Sequence, residues 1–182
     1  MSGHSKWSQI KHKKGVTDIK RGKLFSKLIQ AIAIAAKKNP NPDFNPQLRS
    51  VIEKAKANKL PLETIERAIK RASETKDHQS LEELTIEAYG PSGIALIIEV
   101  ATDNKNRAIA EIKNILSEFG GRLIEPGGVR WAFEQITTEE GITWQAKFKQ
   151  EIPQEGKEKL QNLIEELENH ASVQRIFTNV QF

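Results

Sequence analysis

The chain has 182 residues, of which 28 are Lys or Arg and 24 are Asp or Glu, and it contains no cysteine. This length fits one ordinary domain or two small ones, and the lack of cysteine excludes a disulfide framework and cysteine-ligated zinc. No apolar run approaches the roughly 20 residues of a membrane-spanning helix, and the N-terminus has no signal-peptide stretch. We therefore expect a soluble, cytoplasmic protein.

The net charge of +4 hides an uneven distribution. Residues 1–76 hold 18 Lys/Arg against 6 Asp/Glu, a net charge of +12, whereas residues 77–182 hold 10 against 18, a net charge of −8. Concentrated positive charge attracts phosphate, although a solvated helical surface also carries many lysines. We predict a basic arm and helical bundle at 1–76, a linker at 77–83 and an acidic α+β domain at 84–182.

In the basic half, residues 1–15 show no sustained apolar period and are predicted to form an arm. Beyond it, apolar residues recur every three or four positions and predict three short amphipathic helices joined by proline-containing turns. These helices are expected to run from Thr17 or Asp18 to about Lys37, from Pro46 behind an Asn45 cap, and, after a break at Leu60-Pro61, through Arg71.

In the acidic half the apolar period changes to that of strands. Strands are predicted at 84–89, 94–100, 129–133, 142–148 and 173–180, with helices at 104–119 and after Pro153. Gly90 to Gly93 is predicted to form a hairpin turn. Strand, strand–helix–strand and strand–helix–strand in this order predict a ferredoxin-like split βαβ sandwich, with helices layered on an antiparallel sheet. The fold class is therefore α+β, a basic three-helix bundle followed by this sandwich.

The candidate binding residues lie in the basic N-terminal segment. Eight cations in the first 27 residues could neutralise phosphates and release counterions; they are Lys6, Lys11, Lys13, Lys14, Lys20, Arg21, Lys23 and Lys27. Trp7 has no obvious core to join. It could stack on a base or fold back onto the bundle, and the sequence does not distinguish these alternatives.

A second candidate lies where the helix at 104–119 begins. Helix N-termini present free N–H groups to anions, and Arg107 adds a guanidinium that can hold phosphate through two hydrogen bonds. Simple capping by Asp103 or Asn104 is the competing interpretation, and residue preferences favour it.

Signals of catalysis are weak. The four histidines, His4, His12, His78 and His170, show no metal-ligand spacing, and no nucleophile–base arrangement is suggested. We predict a protein that is not an enzyme, with no cofactor, metal or small-molecule substrate.

Several segments resemble those of the YebC family of probable transcriptional regulatory proteins. The opening GHSKWSQIKHKKGVTDIKRGKLFSKLI is similar to the signature of that family, and the segment NPQLRSVIEKAKANKLPLETIERAIKRA is similar to the segment that follows. EAYGPSGIALIIEVATDNKNRAIAEIKNILSEFGGRL, GGVRWAF and the closing LQNLIEELENHASVQRIFTNV extend the resemblance over nearly the whole chain.

This resemblance implies a nucleic-acid-binding regulator of gene expression. The family has been described as DNA-binding transcriptional regulators, and also as ribosome-associated factors that relieve stalling on proline-rich stretches. The family's basic opening carries over to the eight cations above, and Arg107 carries over from the TDNKNR motif. Family members usually insert a further α+β domain after the strand near Phe133. This chain has no room for it and resembles a two-domain form.

The residues leave the partner open among three classes. No recognition helix with base-reading side chains is evident, and phosphate contacts position a protein without specifying sequence. This slightly favours structured RNA, including ribosomal RNA, over duplex DNA. The third class is a protein–protein module acting through the acidic half.

Overall fold

The computed structural model describes the backbone of residues 4–74, 81–138 and 141–181, and the side chains of 18–74, 81–138 and 142–181. The helices are α1 (His4–Lys38), α2 (Pro46–Ala57), α3 (Leu62–Glu74), α4 (Lys105–Glu118) and α5 (Gln154–Asn169). The strands are β1 (Glu82–Tyr89), β2 (Ala95–Thr102), β3 (Arg122–Leu123), β4 (Phe133–Thr138), β5 (Gly141–Ala146) and β6 (Val173–Thr178).

The first three helices form one bundle around their own apolar core. Buried side chains from each helix make this core: Leu28, Ile32, Ala35, Ala36, Leu48, Ala55, Leu60, Ile65 and Ala68. The predicted start of α1 at Thr17 or Asp18 is wrong, because α1 begins at His4 and includes residues 4–15 of the predicted arm. Residues 4–16 contain no proline, and an isolated glycine such as Gly15 costs a helix only about 1 kcal/mol.

Asn45 fixes the turn between α1 and α2, and its predicted role as the cap of α2 is confirmed. The Asn45 Oδ1 atom accepts a hydrogen bond from the Leu48 N–H at 3.0 Å. Its Nδ2 atom donates to the carbonyls of Ala35 (2.8 Å) and Asn39 (2.7 Å). One buried amide thus satisfies backbone groups at the end of one helix and the start of the next.

The second half is built on a four-stranded antiparallel sheet with the order β3–β1–β2–β6. Strands β1 and β2 are joined by the predicted turn at Gly90–Gly93, where Ser92 (φ 60°) and Gly93 (φ 75°) have left-handed backbone conformations. Helix α4 links β2 to β3 across β1, which is a split βαβ connection.

The two faces of the sheet are covered differently. Helices α4 and α5 pack on one face, where Ile86, Leu96 and Ile98 meet Ile112 and Leu163. On the opposite face β4 and β5 form a separate two-stranded hairpin. The predicted α+β class, with helices layered on an antiparallel sheet, is confirmed.

Two strand predictions need correction. The predicted strand 129–133 is wrong, because residues Arg130–Ala132 form a short 3-10 helix and β4 starts only at Phe133. Strand β3, which was not predicted, is two residues long and too short to show a period of two. The predicted fourth strand is β5, and it pairs with β4 in the hairpin outside the main sheet.

Strands β4 and β5 pair directly, with Thr138 opposite Gly141. The predicted absence of an inserted domain stays a prediction. The domain boundaries themselves stay a prediction, and residues 77–80 of the predicted linker lie outside the described residues.

Candidate nucleic-acid interface

The N-terminal half of α1 carries five of the predicted binding residues. These are Lys6, Trp7, Lys11, Lys13 and Lys14, and their side chains lie outside the described residues. Their backbone is part of α1. The predicted roles of these side chains, including base stacking by Trp7, stay predictions.

Lys20 and Arg21 are both exposed on α1. The Arg21 guanidinium carbon lies 5.1 Å from the centre of the Phe25 ring, a cation–π contact that orients the side chain while leaving its N–H groups available. Among the described residues, neither cation has an acidic partner. Their predicted contacts with phosphate stay predictions.

Lys23 and Lys27 turn instead toward the C-terminal end of α5. The Lys27 ammonium donates a hydrogen bond to the Glu168 carbonyl at 2.7 Å, and the Lys23 ammonium donates to Asn169 Oδ1 at 3.4 Å. Cations are favoured at helix C-termini, where the last carbonyls lack intrahelical partners. In this conformation both lysines connect the two halves of the chain.

The surroundings of Lys27 disfavour the charged form of its side chain. Burial lowers the pKa of Lys27; the attraction of Glu168 raises it, Lys23 lowers it further, and the net effect is a lowered pKa. A phosphate at this position would therefore have to compete with a contact inside the protein.

Further polar contacts join the two halves beside these lysines. Gln174 Nε2 donates to Gln30 Oε1 at 2.8 Å, and the Lys37 ammonium donates to the Leu81 carbonyl at 2.6 Å. A cleft of about 480 Å³ lies between α1, α2, the end of the sheet and the β4–β5 hairpin.

Three cations of α2 and the turn after it were missing from the predicted site. Lys54, Lys56 and Lys59 are exposed, they have no acidic partner in the part of the chain that the structure describes, and Lys54 lines the cleft with Lys27. Lys59 has a φ of 61°, a left-handed conformation that favours glycine. The charge count of the basic half was the signal that could have identified them.

At the start of α4 the structure shows the predicted capping. Asn104 Oδ1 accepts a hydrogen bond from the Arg107 N–H at 3.0 Å, so Asn104 caps α4. The Arg107 guanidinium donates to Asp103 Oδ1 at 2.7 Å on an exposed surface. Because this ion pair is exposed, it holds the guanidinium only weakly, and the predicted phosphate contact of Arg107 stays a prediction.

No helix in the described part of the chain is long and apolar enough to cross a membrane. Within the same residues, no three His, Asp or Glu side chains are grouped as metal ligands would be.

The fold and the basic surface define the class of this protein: an α+β protein with a helical core and a sheet-based half, in which cations such as Lys20 and Arg21 are exposed without an acidic partner among the described residues. Residues 5–75 match the model of the TACO1/YebC protein N-terminal domain, and residues 81–138 match that of the TACO1/YebC second and third domain. The chain belongs to the TACO1/YebC family.

Similar proteins carry the name probable transcriptional regulatory protein. One from Chloroherpeton thalassium is 53% identical over 136 residues, covering 74% of this chain and 54% of the relative. Another from Acidobacterium capsulatum is 50% identical over 135 residues, covering 74% of this chain and 55% of the relative. The chain thus spans about half the length of the curated relatives it matches.

The architecture also matches a solved structure. The crystal structure of a conserved hypothetical protein, Aq1575, from Aquifex aeolicus superposes with a TM-score of 0.82 at 30% sequence identity. The superposition covers 88% of this chain and 90% of that one.

Proposed function

We propose that this protein is a nucleic-acid-binding regulator of gene expression that holds phosphate with the basic surface of its N-terminal helices. The observation that carries the proposal is the set of exposed cations without acidic partners among the described residues, namely Lys20, Arg21, Lys54, Lys56 and Lys59. Such cations neutralise phosphates and release counterions, which makes binding strong at low salt and weak at high salt.

We propose structured RNA at the ribosome as the partner, with a role in translation. The cations lie on α1, on α2 and in the turn after α2, and the sequence shows no recognition helix that would place base-reading side chains in a straight groove. The resemblance to the YebC family adds the finer proposal that the protein relieves stalling at proline-rich stretches.

Duplex DNA is the second candidate partner, because the similar proteins are named probable transcriptional regulatory proteins. Co-sedimentation with ribosomes and DNA footprinting separate the two roles. We expect the protein to sediment with ribosomes at low salt, to detach as salt rises, and to discriminate little among DNA duplexes. A sequence-specific promoter footprint without ribosome association would establish the transcriptional role instead.

The phosphate contacts are tested by removing charge from α1. The double variant Lys20→Gln/Arg21→Gln should weaken RNA binding and reduce the salt dependence of log K by about 0.7–0.9 per lost contact. Lys113→Gln, which removes one charge from an exposed position of α4, is the control and should change neither quantity. If the double variant bound RNA like the unaltered protein at every salt concentration, the α1 interface would be wrong.

A further inference from the structure

A buried carboxylate fixes the loop at residues 125–132. The Glu87 side chain, on β1, is 1% exposed. Its Oε1 atom accepts hydrogen bonds from the Gly127 N–H and from Arg130 Nε, both at 2.8 Å, and its Oε2 atom accepts from the Val129 N–H at 3.0 Å. Burial raises the pKa of Glu87, but these hydrogen bonds outweigh it and hold the pKa below its usual range. The loop is therefore anchored by an ionised carboxylate.

The anchored loop presents an exposed pair of aromatic rings. The rings of Trp131 and Phe148 are stacked, with centroids 5.5 Å apart and planes inclined by 26°. Trp131 Nε1 donates a hydrogen bond to the Gly128 carbonyl at 3.0 Å, which fixes the indole. Trp131 is nevertheless 54% exposed and Phe148 44% exposed. Rings held in place before binding lose little conformational entropy when a ligand stacks on them.

Two lysines flank this pair. Lys147 and Lys149 are exposed on either side of Phe148 in the sequence, and neither has an acidic partner in the described ranges. Exposed Glu134 and Glu151 lie nearby in the sequence and balance their charge. The surface thus offers aromatic stacking with two cations at its edge, and it lacks the excess positive charge of a phosphate-binding face.

We propose that Trp131 and Phe148 form a stacking platform for an unpaired base of the nucleic acid that α1 holds by its phosphates. This inference rests on the proposed function. A single stacked base binds weakly by itself, so the platform acts only when the α1 contacts raise the local concentration of the strand. The acidic half then selects RNA with a single-stranded segment, while the basic half supplies affinity that is independent of sequence.

The test uses the full chain and two RNAs: a hairpin with a single-stranded uridine tail and the same hairpin with a blunt end. Trp131→Ala should weaken binding of the tailed hairpin by about 5- to 150-fold, the equivalent of one stacked base. It should leave the blunt hairpin unaffected. Trp131→Tyr, which keeps an aromatic ring, should restore most of the loss. Ile142→Ala removes a 61% exposed aliphatic side chain from the same half and should alter neither affinity.

The following results would contradict the proposal that Trp131 and Phe148 stack on an unpaired base. Equal weakening of both RNAs by Trp131→Ala would show that the residue does not select unpaired bases. An unchanged tailed hairpin, together with weaker binding by Lys20→Gln/Arg21→Gln, would remove the platform and leave the phosphate interface intact. A change of oligomeric state in Trp131→Ala with unchanged RNA affinity would assign the rings to a protein partner. If the unaltered protein bound neither RNA, the platform and the proposed function would both fail.

Discussion

Glu87 is charged at a position where apolar side chains normally pack. It faces the same side of the sheet as Ala95 and Ile97 in the core under the hairpin. Burial of a carboxylate is costly unless hydrogen bonds compensate for the lost water, and here two backbone N–H groups and Arg130 do so. Glu87 thus provides less apolar packing than an aliphatic residue would, but it fixes the conformation of the loop at residues 125–132.

Removing the Glu87 carboxylate should destabilise the protein. Glu87→Ala is expected to lower the free energy of unfolding by about 3 kcal/mol, because the N–H groups of Gly127 and Val129 lose their acceptor. Glu87→Gln keeps an acceptor oxygen and should cost less. Urea denaturation at neutral pH measures both. A loss below about 0.5 kcal/mol for Glu87→Ala is the size typical of surface substitutions. It would contradict the conclusion that the Glu87 carboxylate anchors the loop at residues 125–132.

The same carboxylate makes stability depend on pH. Since the pKa of Glu87 is lower in the folded chain than its ordinary value of 4.5, its contribution is fully present above that value. It is lost as the pH falls from about 4.5 through the folded pKa. The stability difference between the unaltered protein and Glu87→Gln should therefore shrink in acid. A difference that is independent of pH would show that the carboxylate does not titrate in this environment.

Whether a residue's contacts could be predicted depends on how far away its partners lie in the sequence. The caps Asn45 and Asn104 act on residues three positions away, so a local pattern identifies them. The partners of Glu87 lie 40 to 43 residues further along the chain, and no local pattern links them. In the same way, the contact of Lys27 with Glu168 spans 141 residues. A lysine counted among the candidate phosphate contacts therefore proved half-buried.

At the scale of elements, α1 serves two surfaces. Its apolar stripe, including Leu28, Ile32 and Ala35, packs on α2 and α3, while its polar residues divide between solvent and the second half of the chain. Lys20 and Arg21 face solvent, whereas Lys27 reaches the end of α5. Among the cations of α1 that were predicted to bind phosphate and whose side chains the structure describes, Lys20 and Arg21 are the two that make no contact with the second half of the chain.

The burial of Lys27 predicts a measurable pH dependence. Because the pKa of Lys27 is lower in the folded chain than its ordinary value of 10.5, the unfolded chain binds more protons between the two values. Stability contributed at this site therefore rises with pH in that window. Lys27→Met removes the titrating group, so the unaltered protein should gain stability relative to the variant as the pH approaches 10.5.

Chemical denaturation across this alkaline range provides the measurement for Lys27. Lys20→Met, at an exposed position of the same helix, is the control for the loss of one lysine from α1. If the stability of Lys27→Met and that of the unaltered protein changed in parallel with pH, Lys27 would not be held against α5 in solution.

Element types were predicted better than their partners. The period of apolar residues identified the five α-helices of the described residues, apart from the first part of α1. The pairing of β4 with β5 depends on contacts in the folded chain that the apolar period does not reveal. The alternating strand predicted at 142–148 fits an edge of the main sheet equally well by pattern. In the structure this strand, β5, pairs with β4. Its side chains Trp144 and Ala146 pack with Phe133 against the sheet face opposite α4 and α5.

For the molecule as a whole, each apolar core cluster formed by the described residues lies within one half of the chain. One cluster is built from residues of α1, α2, α3 and the turns joining them, and the other two belong to the sheet, its helices and its hairpin. Contacts between the halves include the polar ones of Lys23, Lys27, Gln30 and Lys37. Polar contacts at a partly exposed interface add little stability, so the halves should open with different free energies.

Hydrogen exchange tests this independence. Leu48→Ala empties a fully buried position of the helical core and should cost about 2–5 kcal/mol. Exchange should accelerate in the amides of α1, α2 and α3, while β1, β2 and α5 keep their protection. Leu163→Ala, at a fully buried position of α5, is the matched variant and should give the reverse pattern. If either substitution accelerated exchange equally in both halves, the chain would unfold as one cooperative unit, and the contacts of Lys27 and its neighbours would couple the halves more strongly than their polarity predicts.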